Sequence, residues 1–267
     1  MDGPAAAIIR QFGEVEADQR YTRLVGSFTG DAVYYDPFVG AQRGIAAITE
    51  FLGHMERVVP KLGVRFDEWE VAGDTTCGWA RWTMYLPGPS GDDVAIPGQS
   101  IYRLRDGKVC FAADHLDPVA YRRARPEGTA PDHATVMGLS AGMGGQGGPA
   151  LDLVHRFWAL QEHRRYGELA SLFADDAVFT DLVYGRFEGA EAIGAYLARM
   201  QQEMPSLGVW FEHVDAAGDE NVAWSQWWCH FPNGKVPGWT LHTVRDGRFT
   251  LDADYFDTAV ARAVQAG

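Results

Sequence analysis

The sequence predicts an α+β protein made of two tandem cone-shaped domains, each a curved antiparallel sheet wrapped around N-terminal helices. Three observations carry that expectation. The chain matches itself at one long offset, each copy places helical patterning ahead of strand patterning, and a Gly-, Pro- and Ala-rich segment separates the copies.

The self-match sets the layout. Phe28 and Asp31-Ala32-Val33 lie over Phe173 and Asp176-Ala177-Val178, and Asp36 lies over Asp181, an offset of 145 residues. In the same register Gly40, Gly44, Ile48, Met55 and Pro60 meet Gly185, Gly189, Ile193, Met200 and Pro205, and Trp79 and Trp82 meet Trp224 and Trp227. The offset then falls to 140, pairing Pro97-Gly98 and Arg105-Asp106-Gly107 with Pro237-Gly238 and Arg245-Asp246-Gly247, because one hairpin loop is shorter in the second copy. A period this long exceeds any solenoid repeat, so each copy should own a core. The expected domains are 1–124 and 150–267, joined by a flexible linker over 125–149. That linker holds a G-x-G-x-x-G string, Gly142 to Gly147. No strand-like run precedes it, so it is not read as a dinucleotide site.

Within each copy the apolar spacing predicts helices over Ala5–Ala17 and Tyr21–Phe28, and over Leu151–Gln161 and Tyr166–Phe173. Short β-like runs follow, Val33-Tyr34-Tyr35 ahead of Asp36 and Val178-Phe179-Thr180 ahead of Asp181. After a Gly-bounded turn comes an amphipathic helix, over Ile45–Val58 or Ala190–Glu203. The remainder reads as a β-meander: Val64–Val71, Cys77–Tyr85, Ser100–Leu104 and Val109–Leu116, with Asp106-Gly107 as a two-residue hairpin turn.

Composition removes several function classes. With 23 Lys and Arg against 36 Asp and Glu, the net charge of −13 offers no basic face for nucleic acid or anionic membranes. Cys77, Cys110 and Cys229 are too few and scattered for a disulfide scaffold, and together with an N-terminus lacking a basic n-region they suggest a cytoplasmic protein. No run approaches a membrane span. His and Cys show no metal-ligand spacing, and no Gly-x-Ser-x-Gly elbow supports a Ser–His–Asp hydrolase; neither metal nor cofactor is expected.

The candidate chemistry lies in four repeated carboxylates, Asp36 with Asp114 and Asp181 with Asp254. A carboxyl in an apolar cone is pushed towards its protonated form, and a second one nearby splits the pair into an acid and a base. Strand alternation places Trp79, Arg81, Thr83 and Tyr85 on one face, with Trp224, Gln226, Trp228 and His230 as their counterparts. That face is expected to line the pocket, while Trp82 and Trp227 point away. Tyr102 and His242 match each other on the next strand, giving the two pockets different polar groups. Each Asp also has a structural alternative, as a turn residue or a solvated strand position, and the aromatic residues have one as plain core.

The order of these motifs, occurring twice, resembles the nuclear transport factor two-like superfamily, which includes ketosteroid isomerases, limonene-epoxide hydrolases, polyether epoxide-opening cyclases and SnoaL-like polyketide cyclases. Tyr35-Asp36-Pro37-Phe38-Val39-Gly40 resembles the stretch carrying the isomerase base, with Thr180-Asp181-Leu182-Val183-Tyr184-Gly185 as its second copy. The isomerase oxyanion donors have no counterpart, since Phe12, Phe157, Ser100 and Thr240 fall at those places. Ala253-Asp254-Tyr255-Phe256-Asp257 is similar to the ending of the limonene-epoxide hydrolases, whose Arg-x-Asp is replaced here by Arg81-Trp82-Thr83 and Gln226-Trp227-Trp228. Tandem layout fits the epoxide-opening cyclases best. The resemblance implies a cofactor-free acid–base enzyme opening an epoxide, by cyclisation or hydrolysis, on a bulky apolar polyketide or terpenoid-like substrate. Two alternatives stay open: an aldol cyclase, isomerase or dehydratase working beside a carbonyl, and a non-catalytic ligand-binding module. The chain is expected to be a monomer holding its own pseudo-dimer, or a homodimer.

Overall fold

A computed structural model describes residues 2–143 and 147–266. The chain divides into two compact units, Met1–Gly145 and Gln146–Gly267. Of the glycine string noted above, residues 144–146 lie outside the described residues.

The first unit runs α1 (Pro4–Asp18), a 3₁₀ segment (Tyr21–Ser27), β1 (Phe28–Asp36), β2 (Gly40–Arg43), α2 (Gly44–Leu62), β3 (Arg65–Gly73), β4 (Cys77–Pro87), β5 (Asp93–Arg105), β6 (Lys108–Leu116) and α3 (Pro118–Ala124). The second runs α4 (Pro149–Glu162), α5 (Tyr166–Leu169), a 3₁₀ turn (Ala170–Leu172), β7 (Phe173–Asp181), β8 (Gly185–Glu188), α6 (Ala190–Leu207), β9 (Trp210–Gly218), β10 (Val222–Phe231), β11 (Gly234–Arg245), β12 (Arg248–Phe256) and α7 (Thr258–Ala266). Their sheets share one order, β2-β1-β6-β5-β4-β3 and β8-β7-β12-β11-β10-β9. The tandem α+β expectation holds. One pairing differs from it: β1 runs parallel to β6, and β7 to β12, so each sheet is mixed. The last meander strand returns beside the first after a helical crossover, which is the connection that parallel neighbours require.

Local chemistry explains the boundaries. Pro4 and Pro149 open their helices at a position where a missing N–H costs nothing. Gly63 and Gly208 end α2 and α6 with φ near +67°, a conformation that glycine adopts without strain. Both helices pass through a proline in their final turns, Pro60 and Pro205, and so outrun the sequence expectation. Asp106 and Asp246 take positive φ ahead of Gly107 and Gly247, giving the two-residue hairpins that were expected. Asp117 and Asp257 cap α3 and α7, elements the hydrophobic pattern did not announce, by accepting from backbone N–H groups two and three residues on.

Each unit has its own core between sheet and helices. In α1 the stripe Ala5, Ile9, Phe12 and Val15 is buried, and in α4 Leu153, Val154, Phe157 and Trp158 are. The segment expected to be a flexible linker is, over much of its length, part of the first unit. Val136, His133 and Ser140 are buried. Tyr35 donates to the Asp132 carbonyl at 2.7 Å and Arg103 Nε donates to Ser140 Oγ at 3.1 Å. Small residues here permit close packing rather than freedom. Among the described residues no helix is long and apolar enough to cross a membrane.

Candidate functional site

Strand register decides which side chains meet. On β4 and β5, Trp82 stands opposite Gly98 and Ala80 opposite Ser100, and on β5 and β6, Ser100 stands opposite Asp114. Residues directly opposite share a face. Trp82, Ser100, Tyr102 and Asp114 therefore all point at the helices, and all line one cavity of about 340 Å³. The second unit repeats this with Trp227 opposite Gly238 and Thr240 opposite Asp254; Trp227 and Asp254 line a cavity of about 130 Å³.

The face expected to line the pocket is thus the opposite one. Trp79 is buried on the far side of the sheet, and Arg81 beside it pairs with Glu70. Tyr85 lies under the Arg65 guanidinium at 4.1 Å. In the second unit Trp224 and Gln226 are buried on that same far face, Lys235 covers Trp228 at 3.9 Å, and His230 stacks on Trp210 at 3.8 Å while bonding Glu212 at 2.7 Å. Period-two alternation says which residues share a face but not which face is concave. The glycines held that information. A Cβ on Gly98 would come within 2.1 Å of the Trp82 ring, and one on Gly238 within 2.3 Å of Trp227, so each glycine marks where an indole lies across the inner face.

That close approach serves the carboxylates. Trp82 Nε1 donates to Ser100 Oγ at 3.0 Å, and Ser100 Oγ donates to Asp114 Oδ1 at 2.6 Å. Trp227 Nε1 donates to Thr240 Oγ1 at 2.8 Å, which donates to Asp254 Oδ1 at 2.6 Å. Both cones thus hold their Asp through an identical two-step chain.

Around it the cones differ. Of the four expected carboxylates, Asp36 and Asp114 line the first cavity, and Asp181 and Asp254 the second. Asp36 and Asp181 also act as turn residues: Asp36 Oδ1 accepts from the N–H of Phe38 at 2.8 Å and Val39 at 3.0 Å, and Asp181 Oδ1 from Val183 at 2.6 Å and Tyr184 at 2.8 Å. In the first cone Tyr34 adds a second donor to Asp114, through Oδ2. Burial lifts the Asp114 carboxyl to about 6 against the pull of Ser100 and Tyr34, with the charge of Asp36 adding to the rise. Burial raises Asp36 too, opposed by its two backbone donors.

A third acid was missed. Glu16 of α1 continues the stripe Ile9-Phe12-Glu16 and lines the same cavity. Burial lifts it to about 8, while the Tyr21 hydroxyl, donating at 2.6 Å, pulls the other way and the Asp114 charge adds to the lift. The signal was a carboxylate lying on an otherwise apolar helical face.

The second cone has Gln161 where Glu16 would stand, Phe179 for Tyr34 and His242 for Tyr102. Tyr102 is one of the expected binding residues and lines the first cavity. Its counterpart His242 is fully buried further down the inner face, among a cluster of its own. His242 Nδ1 lies 3.2 Å from Asp252 Oδ2, and its Nε2 lies 3.1 Å from Ser225 Oγ. The sequence offered no Ser–His–Asp elbow; the three meet instead across neighbouring strands. Ser225 is fully buried and does not line the cavity, so the trio props the floor and presents no nucleophile. Burial pushes the imidazole down to about 3 and raises the Asp252 carboxyl well above its ordinary value. Asp254 is raised well above its ordinary value by burial, then by Asp252 and Asp181.

Two mixed sheets curved over helices, each enclosing an apolar cavity with inward carboxyl groups, define a tandem cone protein. A SnoaL-like domain model matches residues 9–112 and again 154–251, and the chain belongs to that family. No curated protein matches it. Solved structures similar to it include an LEH-like epoxide hydrolase of M. tuberculosis, 23% identical over 45% of this chain and 91% of that chain, with a TM-score of 0.36. Another is TerC co-crystallized with polyporic acid, 21% identical over 46% and 98%, TM-score 0.39. A third is a protein of Catenulispora acidiphila with a ketosteroid isomerase-like fold, in complex with trimethylamine, 22% identical over 43% and 92%, TM-score 0.37. Each spans less than half of this chain.

Proposed function

We propose that the first cone is an acid–base active site that opens an epoxide on a bulky, largely apolar polyketide or terpenoid-like substrate. The observation that carries this reading is the presence in one apolar cavity of two carboxyl groups that straddle neutrality, Asp114 at about 6 and Glu16 at about 8. At pH 7 one is mostly a base and the other mostly an acid, the division of labour that epoxide opening needs. Glu16 donates its proton to the epoxide oxygen as the C–O bond breaks. Asp114 takes the proton of the attacking group as the new C–O bond forms. An internal hydroxyl as nucleophile gives a cyclic ether, and water gives a diol. Exchange with solvent then returns a proton to Glu16 and removes one from Asp114. Tyr34 and Ser100 hold the Asp114 carboxylate plane, and Asp36 biases its charge. Phe12, Phe38, Met84, Leu86, Trp69 and Trp82 give walls suited to hydrocarbon and exclude water.

Removal of a proton beside a carbonyl is the second reading. It is favoured by Tyr102, whose hydroxyl lies in the same cavity and is held firmly protonated by burial, able to donate to an enolate oxygen. A panel of terpenoid and polyketide epoxides and ketones, assayed across pH 5–9, separates the two. Epoxide turnover with a bell-shaped profile, limbs near 6 and 8, and loss in Asp114→Asn supports the first. Solvent deuterium entering a ketone without epoxide turnover supports the second. Neither activity with any compound the cavity binds would leave the ligand-binding module.

A further inference from the structure

The second cone keeps the frame of the first but changes its polar equipment. Gln161 takes the place of Glu16, and a carboxamide neither supplies nor accepts a proton at neutral pH. Its side chain is 7% exposed, lines the cavity, and among the described residues nothing donates to its Oε1. A buried acceptor left without a donor costs free energy, and a ligand hydroxyl would satisfy it. Asp254 lines the same cavity and, among the described residues, accepts only the Thr240 hydrogen bond, because Phe179 replaces the tyrosine that donates to Asp114. The groups electrostatically close to Asp254 are Asp252 and Asp181, with Tyr196 and Cys229 also near it, and none of these is a cation. Among the described residues, no Lys, Arg or His lines the cavity.

The walls complete the picture. Phe157, Phe179, Tyr196, Trp227 and Phe256 surround a space of about 130 Å³, and Val183 and Leu207 are exposed at its rim. An apolar cavity of about 150 Å³ is known to hold benzene. The space therefore suits one ring, not the bulky substrate proposed for the first cone.

We infer that the second cone is a binding site for a compact, uncharged, single-ring molecule with a carbonyl or ether oxygen that accepts from the Asp254 carboxyl and a hydroxyl that donates to Gln161 Oε1. Anions are rejected, because they would enter an apolar space whose lining offers no cation to receive them. This site does not depend on the acid–base reading of the first cone.

The test uses the full chain and three probes at pH 6.5: 4-hydroxyacetophenone, acetophenone and 4-hydroxybenzoate. Calorimetry gives affinities, and a co-crystal structure with 4-hydroxyacetophenone gives the location. The expected result is 4-hydroxyacetophenone in the second cone, bonded to both Asp254 and Gln161. Acetophenone should bind several-fold more weakly and 4-hydroxybenzoate at least tenfold more weakly. Gln161→Leu should lower the hydroxylated ketone's affinity about tenfold and leave acetophenone's nearly unchanged, a pattern that misfolding would not produce. Glu16→Leu should leave second-cone occupancy intact. The inference is overturned if the hydroxylated ketone occupies only the first cone or neither, if the benzoate binds equally well, or if Gln161→Leu weakens both ketones alike.

Discussion

The two cones share a scaffold and differ in where they keep protons. Each suspends its Asp on a Trp–hydroxyl–carboxylate chain, and each requires a glycine opposite the indole. In the first cone the ionisable groups open onto the cavity: Glu16, Asp36 and Asp114, backed by Tyr34. In the second, two further polar groups have moved below it. Ser225 and Asp252 stand where the first cone has Ala80 and Ala112, and Gln161 and Phe179 replace Glu16 and Tyr34 on the cavity wall. The difference teaches that a repeat preserves the support of a site more readily than its proton balance. On the proposed mechanism, one substitution on a helix face, Glu to Gln, removes the acid of the couple.

The sharpest way to break the comparison is to give the first cone the second cone's residue. Glu16→Gln should cut epoxide turnover about 10³-fold, with substrate affinity within a few-fold, since loss of a general acid typically costs 10²- to 10⁴-fold. Steady-state kinetics on a substrate from the panel checks it, and near-normal kcat would remove Glu16 from the mechanism.

The shared scaffold makes the next prediction. Gly98→Ala and Gly238→Ala should each destabilise the chain by about 1–3 kcal/mol by forcing Trp82 or Trp227 off its hydroxyl partner. Denaturant unfolding measures the effect; a negligible loss would mean that the indoles shift freely.

A third prediction concerns pH. Asp114 is lifted from an ordinary 3.8 to about 6. Between those values the folded chain keeps a proton that the unfolded chain has released, so stability falls as pH rises through that window. Above about 6 the cost is complete. Asp114→Asn should therefore stabilise the protein at pH 8 by about 1–2 kcal/mol, the lost hydrogen bonds offsetting part of the gain, and by less at pH 4.5. Equal or reversed effects at the two pH values would show that Asp114 is not strained by its charge.

The smallest effects belong to the outward face. Arg81→Ala and His230→Ala, both at positions that sequence periodicity assigned to the pocket, should change turnover less than twofold. A larger loss of activity in either variant would return that face to the site.

What the sequence disclosed follows from what repeats and periods encode. The self-match located both domains and all four aspartates, because a carboxylate at a strand end leaves a mark at a fixed offset. Periodicity grouped Trp79 with Arg81 and Tyr85 correctly, yet it assigned them to the inner face, since alternation carries no sign. The sign lay in Pro97-Gly98 and Pro237-Gly238, legible only once each glycine is paired with its tryptophan. Glu16 was hidden among acidic neighbours, Glu14 and Asp18, and only its place on the apolar stripe set it apart. The Ser225–His242–Asp252 trio depends on register across three strands, which no local spacing reports. Composition made residues 125–149 look like a linker, because small residues suit close packing as well as freedom.

The central claim is that the first cone holds two carboxyl groups on either side of neutrality, and it can be tested without any substrate. Carbon-13 NMR of side-chain carboxyls, followed from pH 3 to 9 in the full chain and assigned with Glu16→Gln and Asp114→Asn, reads both groups directly. The account predicts one resonance titrating near 6, lost in Asp114→Asn, and one near 8, lost in Glu16→Gln. Both groups titrating near 4 would contradict it and remove the acid–base couple from the first cone.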